Sequence, residues 1–105
     1  MYRWQPTKLV YDKYVLTFHQ HLNVSIELTK DSGIFIANEE ALEVDAEGSS
    51  IDDTKRAFAE RLIKIYIDIV PEKDGNLMFD ALQLKKKLVV ITQSFQYDGK
   101  NYEKI

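Results

Sequence analysis

With 105 residues, 45% of them hydrophobic and 30% charged, and with four glycines and two prolines, the chain has the composition of one globular domain rather than of a disordered segment. The absence of cysteine excludes disulfide frameworks, thiol nucleophiles and cysteine-based metal sites. The net charge of -3 is mild but uneven: no Lys or Arg occurs between Lys30 and Lys55, whereas Asp31, Glu39, Glu40, Glu43, Asp45, Glu47, Asp52 and Asp53 do, a block that repels phosphates and attracts a basic partner.

Residues 1–12 mix Tyr2, Trp4 and Tyr11 with charges and Pro6, which predicts an N-terminal arm or a short edge strand laid onto the body. Met1 to Pro6 carries no signal-peptide pattern and no apolar stretch is long enough to span a bilayer, so a cytoplasmic protein without membrane contact is expected. Tyr14 to Phe18 is aromatic and β-branched, and Asn23 to Thr29 alternates with Val24, Ile26 and Leu28 on one face; two strands follow, or one long strand interrupted near Leu22. Lys30-Asp31-Ser32-Gly33 is turn chemistry, so Ile34 to Ala37 should return antiparallel. Leu42, Val44 and Ala46 alternate with Glu43, Asp45 and Glu47, predicting a further strand with an acidic outer face.

Gly48 breaks that strand, and Ser50 followed by Asp53 has the spacing of a capping box. Phe58, Leu62, Ile65 and Ile69 then recur at helical spacing, so a main helix over Ile51 to Val70 is expected to lie across the sheet and to stop at Pro71. After a polar loop at Glu72 to Asn76, Leu77 to Lys87 reads as a short second helix with a strand as competitor, and Leu88 to Tyr97 reads as a strand. Asp98-Gly99 is a two-residue hairpin signal before Lys100 to Ile105. The expected fold is α+β, an antiparallel sheet with one main helix packed on it, in the order βββαββ with room for a second helix.

Candidate chemistry is sparse. His19 and His21, two apart on an expected strand, point to one side as a zinc site would need, but two ligands do not make a site. Ser49 and Ser50 beside Asp52 and Asp53 lack an oriented base and read as helix caps, and the neighbouring carboxylates Glu39 and Glu40 lack any catalytic pattern. Lys85, Lys86, Lys87, Lys100 and Lys104 interleave with Phe95, Tyr97 and Tyr102, which could serve single strands of nucleic acid but reads better as strand aromatics beside solvated lysines. Exposed sheet aromatics would equally suit a homodimer or partner surface. No catalytic residue, cofactor or metal is expected.

The order of elements from Val24 to about Ile69, an alternating strand, a Lys-Asp-Ser-Gly turn, the strand Ile34-Phe35-Ile36-Ala37 and the helix start at Ala46-Glu47-Gly48-Ser49-Ser50-Ile51-Asp52-Asp53, resembles the HicB-like antitoxin family. That resemblance implies a non-enzymatic domain that masks a small basic ribonuclease toxin. The acidic strand face, read from the residues alone, suits the same task, with Glu39, Glu40, Glu43, Asp45 and Glu47 as candidate partner-binding residues for a basic protein. The same acids leave a second reading open, a nucleic-acid mimic of the kind phages and mobile elements use against nucleases, or a small regulatory protein of another sort. Direct nucleic-acid binding is disfavoured by their charge.

Overall fold

Short alternating segments separated by turn residues fill the first half of the chain. The computed structural model, which describes residues 1–102, folds them into six strands: β1 (Tyr2–Trp4), β2 (Lys8–Tyr11), β3 (Tyr14–Phe18), β4 (Val24–Leu28), β5 (Phe35–Glu39) and β6 (Val44–Gly48). Helices α1 (Ile51–Ile69) and α2 (Phe79–Ile91) follow, joined through a single 3-10 turn at Asp74–Asn76, and β7 (Thr92–Tyr97) and β8 (Lys100–Asn101) end the described chain. The fold is α+β, as expected, but its strands divide between two antiparallel sheets of four, in the orders β1-β4-β5-β6 and β2-β3-β7-β8.

The N-terminal residues are responsible for this division. Instead of one arm, they supply an edge strand to each sheet: β1 pairs with β4 (Tyr2 opposite Ile26), and β2 pairs with β3 (Leu9 opposite Leu16). Pro6 sits between them with no N–H to give to either ladder. Its carbonyl accepts from Leu22 N–H at 2.9 Å, and the Thr7 carbonyl accepts from Phe18 N–H at the same distance, which binds the crossing between sheets to the β3–β4 connection. Asp12 turns β2 back into β3 with φ of 54°, a left-handed conformation that Asp tolerates better than most residues.

The β4–β5 hairpin closes where the turn residues predict, with Gly33 at φ of 67° and Thr29 N–H donating to the Ile34 carbonyl at 2.8 Å. At the other end of the chain Asp98 and Gly99 both have positive φ, as a two-residue turn of type I′ requires. Residues 103–105, the last part of the expected final strand, lie outside the described residues.

Helix α1 begins as its sequence demands. The Ser50 hydroxyl accepts from Asp53 N–H at 3.0 Å, Thr54 donates to the Ser50 carbonyl at 2.6 Å, and Asp53 takes hydrogen bonds from Ser49 and Arg56 that hold its carboxyl below the usual aspartate range. Its buried stripe, Phe58, Ala59, Leu62 and Ile63, packs on the inner face of the first sheet through Val24, Ile26, Ala37 and Val44, while Leu9, Leu16, Phe18 and Phe95 complete the same core from the second sheet. Trp4 meets Phe58 edge-on with centroids 5.8 Å apart. One helix thus serves both sheets.

Helix α2 corrects the expected strand at Leu88 to Ile91. Leu-Val-Val-Ile favours β structure locally, but Leu84, Leu88 and Ile91 lie one helical turn apart and meet the core together, with Leu88 fully buried. Tertiary burial outweighs a β-propensity worth at most ~1 kcal/mol. The helix runs into β7 without a loop, and His19 N–H donates to the Ile91 carbonyl at 2.9 Å at the junction. At its other end Lys85 Nζ donates to the Glu72 carbonyl and, at 2.7 Å, to the Asp74 carboxylate, whose pKa this lowers.

Candidate protein-binding surface

The pleat of the first sheet turns Val24, Ile26, Ala37 and Val44 toward α1, so the intervening residues must face solvent. Register places them in rows. One row reads Arg3, Ser25, Asn38, Asp45 across β1, β4, β5 and β6; the next reads Glu27, Ile36, Glu47 across β4, β5 and β6. With strands ~4.8 Å apart, Glu27 and Glu47 stand roughly 10 Å apart on either side of Ile36, while Asp45 and Glu47 are about 7 Å apart along β6. Ile36 is exposed between its two carboxylates.

Strand β6 is the edge of its sheet: it pairs with β5 and with no other strand among the described residues. Its free backbone edge therefore runs beside Asp45 and Glu47, both exposed. Glu40 and Glu43 stand at the turn that leads into it, also exposed, with Glu43 N–H donating to the Glu40 carbonyl at 3.2 Å and Glu43 itself at φ of 55°. Among the described residues the outer face carries one strand cation, Arg3, on the opposite edge strand, where Glu27 and Glu40 line the same depression, and Asp45 and Glu47 stand on β6 without a strand cation beside them. Beside Arg3, a depression of about 400 Å³ is lined by Gln5, Asn23, Ser25, Asn38 and Glu40 among others, and Gln5 donates to Asn23 across it at 3.0 Å.

Of the five acids singled out from the sequence, the structure sets Glu43, Asp45 and Glu47 along β6 and the turn before it, whereas Glu40 lines the depression beside Arg3. Glu39 goes elsewhere. It is 5% exposed, and its two carboxylate oxygens accept from Asn23 N–H at 2.9 Å and Ala41 N–H at 2.8 Å, which fastens the β3–β4 connection to the β5–β6 turn. The outer face gains instead Glu27 of β4, which lies outside the run of acids between Lys30 and Lys55.

The other candidates are placed apart from this surface. His19 and His21 lie in the connection after β3 rather than within a strand, so the alternation expected to align them does not apply, and among the described residues no group of three or more His, Asp or Glu side chains converges as metal ligands would. Phe95 and Tyr102 are packed into an aromatic cluster with Tyr14 and Tyr66, at centroid distances between 4.6 and 6.0 Å, rather than displayed for stacking. Lys85 is engaged by Glu72 and Asp74, Lys87 donates to the Ala41 carbonyl at 2.9 Å, and Lys104 is outside the described residues. Among the described residues no helix is long and apolar enough to cross a membrane. No protein-family model, curated protein or solved structure matches the chain.

Proposed function

We propose that the chain is a non-enzymatic protein-binding module that engages a basic partner through the β6 edge and the adjoining outer face of its sheet. The observation that carries this is the alignment of Asp45 and Glu47 on an edge strand with an open backbone, extended by Glu43 at the turn before it and by Glu27 across the exposed Ile36. The carboxylates steer a basic surface toward the edge and set its orientation. The open edge can receive an extended segment by strand addition, and Ile36 offers the apolar contact that charge alone does not provide. The resemblance of residues 24–69 to HicB-like antitoxins gives the partner a concrete form, a small basic ribonuclease whose activity the module masks. Arg3, Ser25, Ile36 and Asn38 interrupt the carboxylates on this face, which favours protein binding over mimicry of a continuous phosphate array.

The test begins with capture of partners from the native host by the tagged chain at low and high salt. A small basic protein retained at low salt and released at high salt is expected, with retention lost when Glu43, Asp45 and Glu47 are all changed to Lys and kept when the exposed Asp68 of α1 is changed instead. If the captured protein degrades RNA, adding the chain should stop it. A partner held equally by the triple variant would overturn the assignment of this surface.

A further inference from the structure

Helix α2 carries apolar residues on two opposite sides. At 100° per residue, Ala81, Leu84, Leu88 and Ile91 form the side turned to the core, with Leu88 fully buried. The other side bears Met78 at the cap, Phe79, Val89 and Val90, exposed to 84%, 74%, 54% and 74% respectively, with Gln83 and Lys86 between them. Phe79 and Val90 leave large apolar side chains in water at the two ends of this side, which is the part of α2 that lacks a cover.

Two features identify what fits there. The first is spacing. Phe79, Gln83, Lys86 and Val90 lie on one stripe at intervals of four, three and four residues, a sequence of intervals that reads the same in both directions. An antiparallel copy of the helix therefore sets Phe79 opposite Val90, Gln83 opposite Lys86, and the same pairs again in reverse, as a two-fold interface requires. The second is shape. Beside the C-terminal half of α2 runs a groove of about 760 Å³ whose lining mixes the apolar Leu22, Leu42, Val90 and Ile91 with polar residues, Gln83 and Lys86 of the helix among them. Phe79 lies 11 residues before Val90, about 16 Å along the axis, so reversal brings the ring of each copy to the groove of the other. Charge agrees: Asp80 in the first turn of one helix arrives near Lys86 and Lys87 of the other, and the helix dipoles oppose favourably.

We infer that this protein forms a two-fold dimer through antiparallel packing of α2, each Phe79 inserting into the groove beside Val90 of the second copy. The interface adjoins the β5–β6 turn, where Glu43 shares a depression with Phe79 and Asp80, but Asp45 and Glu47 line neither that depression nor the groove, so changing those two alone tests the proposed partner separately from the dimer.

Sedimentation of the full chain over a range of concentrations tests it, with circular dichroism to confirm folding. A doubling of the apparent molar mass as concentration rises is expected, and loss of that doubling in Phe79→Asp and in Val90→Asp, both of which alter exposed side chains. Phe79→Lys and Val90→Glu should each be monomeric alone and should associate when mixed, because one Lys–Glu pair then replaces one apolar pair. The natural absence of cysteine allows a second readout: the double variant Phe79→Cys, Val90→Cys should oxidise to a covalent dimer, since the two positions within one helix are too far apart to bridge each other. A chain that stays monomeric at every concentration overturns the inference. So does a dimer indifferent to Phe79→Asp, and so does a monomer in which Phe79→Asp abolishes binding of a different protein, which would make that protein the occupant of the groove.

Discussion

Glu39 and Asp45 belong to one run of acids in the sequence, yet their surroundings assign them opposite roles. The Glu39 carboxylate is the acceptor for two backbone N–H groups, one on each side of the join between the β3–β4 connection and the β5–β6 turn. Glu39→Ala leaves both donors without their charged acceptor, and hydrogen bonds to charged groups contribute ~1.5–3 kcal/mol each. A fall in unfolding free energy of about 2 kcal/mol or more is therefore expected, measurable as a lower urea midpoint, whereas Asp45→Asn at an exposed strand position should stay within ~0.5 kcal/mol of the parent. Equal effects would mean that Glu39 is not a structural residue. Alternation could not separate the two in advance, because Glu39 stands in phase with Ala37 and Phe35 on the buried side of β5, and a carboxylate on that side is admissible only if donors meet it.

At the scale of elements, the passage from β6 into α1 depends on a close approach rather than on turn chemistry alone. A Cβ placed on Gly48 would lie 2.7 Å from Thr54 N and 2.8 Å from Thr54 Oγ1, the hydroxyl that donates to the Ser50 carbonyl in the first turn. Gly48→Ala must push the start of the helix away from the strand, and overpacking of this kind costs about 1–3 kcal/mol. Thermal unfolding of that variant should begin several degrees below the parent, with the helical signal affected at the same temperature as the rest. The sequence marked Gly48 as a break and Ser50 as a cap, which located the boundary correctly. It did not reveal that the glycine is required for space. Helix α2 shows the same limit from the other side, for the run Leu88 to Ile91 has strand propensity and becomes helix because the core takes Leu84, Leu88 and Ile91 together.

For the whole molecule, the question is what joins two sheets into one body. Part of the answer is an aromatic cluster in which Tyr66 of α1, Tyr14 of β3 and Phe95 of β7 pack together, with Tyr66 and Phe95 centroids 4.6 Å apart and Tyr14 and Phe95 at 5.7 Å. Burial raises the pKa of Tyr66, and burial followed by the neighbouring Tyr102 and Tyr97 raises that of Tyr14. The folded values lie above the unfolded ones, so the stabilisation is fully present below the unfolded tyrosine pKa of ~10 and is lost as pH rises through the folded values. The urea midpoint should fall steeply above about pH 10, and less steeply in Tyr66→Phe, where one ionisation has been removed. Identical alkaline profiles would show that this junction does not govern stability at high pH.

The sequence by itself determined the α+β class, the β4–β5 and β7–β8 turns, the start and end of α1 to within a residue, and an acidic strand whose Asp45 and Glu47 face outward. These depend on local rules: side-chain alternation with period two, recurrence with period 3.6, capping, and turns that need positive φ. Only the tertiary structure decided that residues 1–12 serve two different sheets, that Glu39 turns inward, that Leu88 to Ile91 is helical, and that α2 leaves an apolar side uncovered. Each of those depends on which distant residue supplies a hydrogen bond or buries a side chain, and a pairing across the fold leaves no period along the chain.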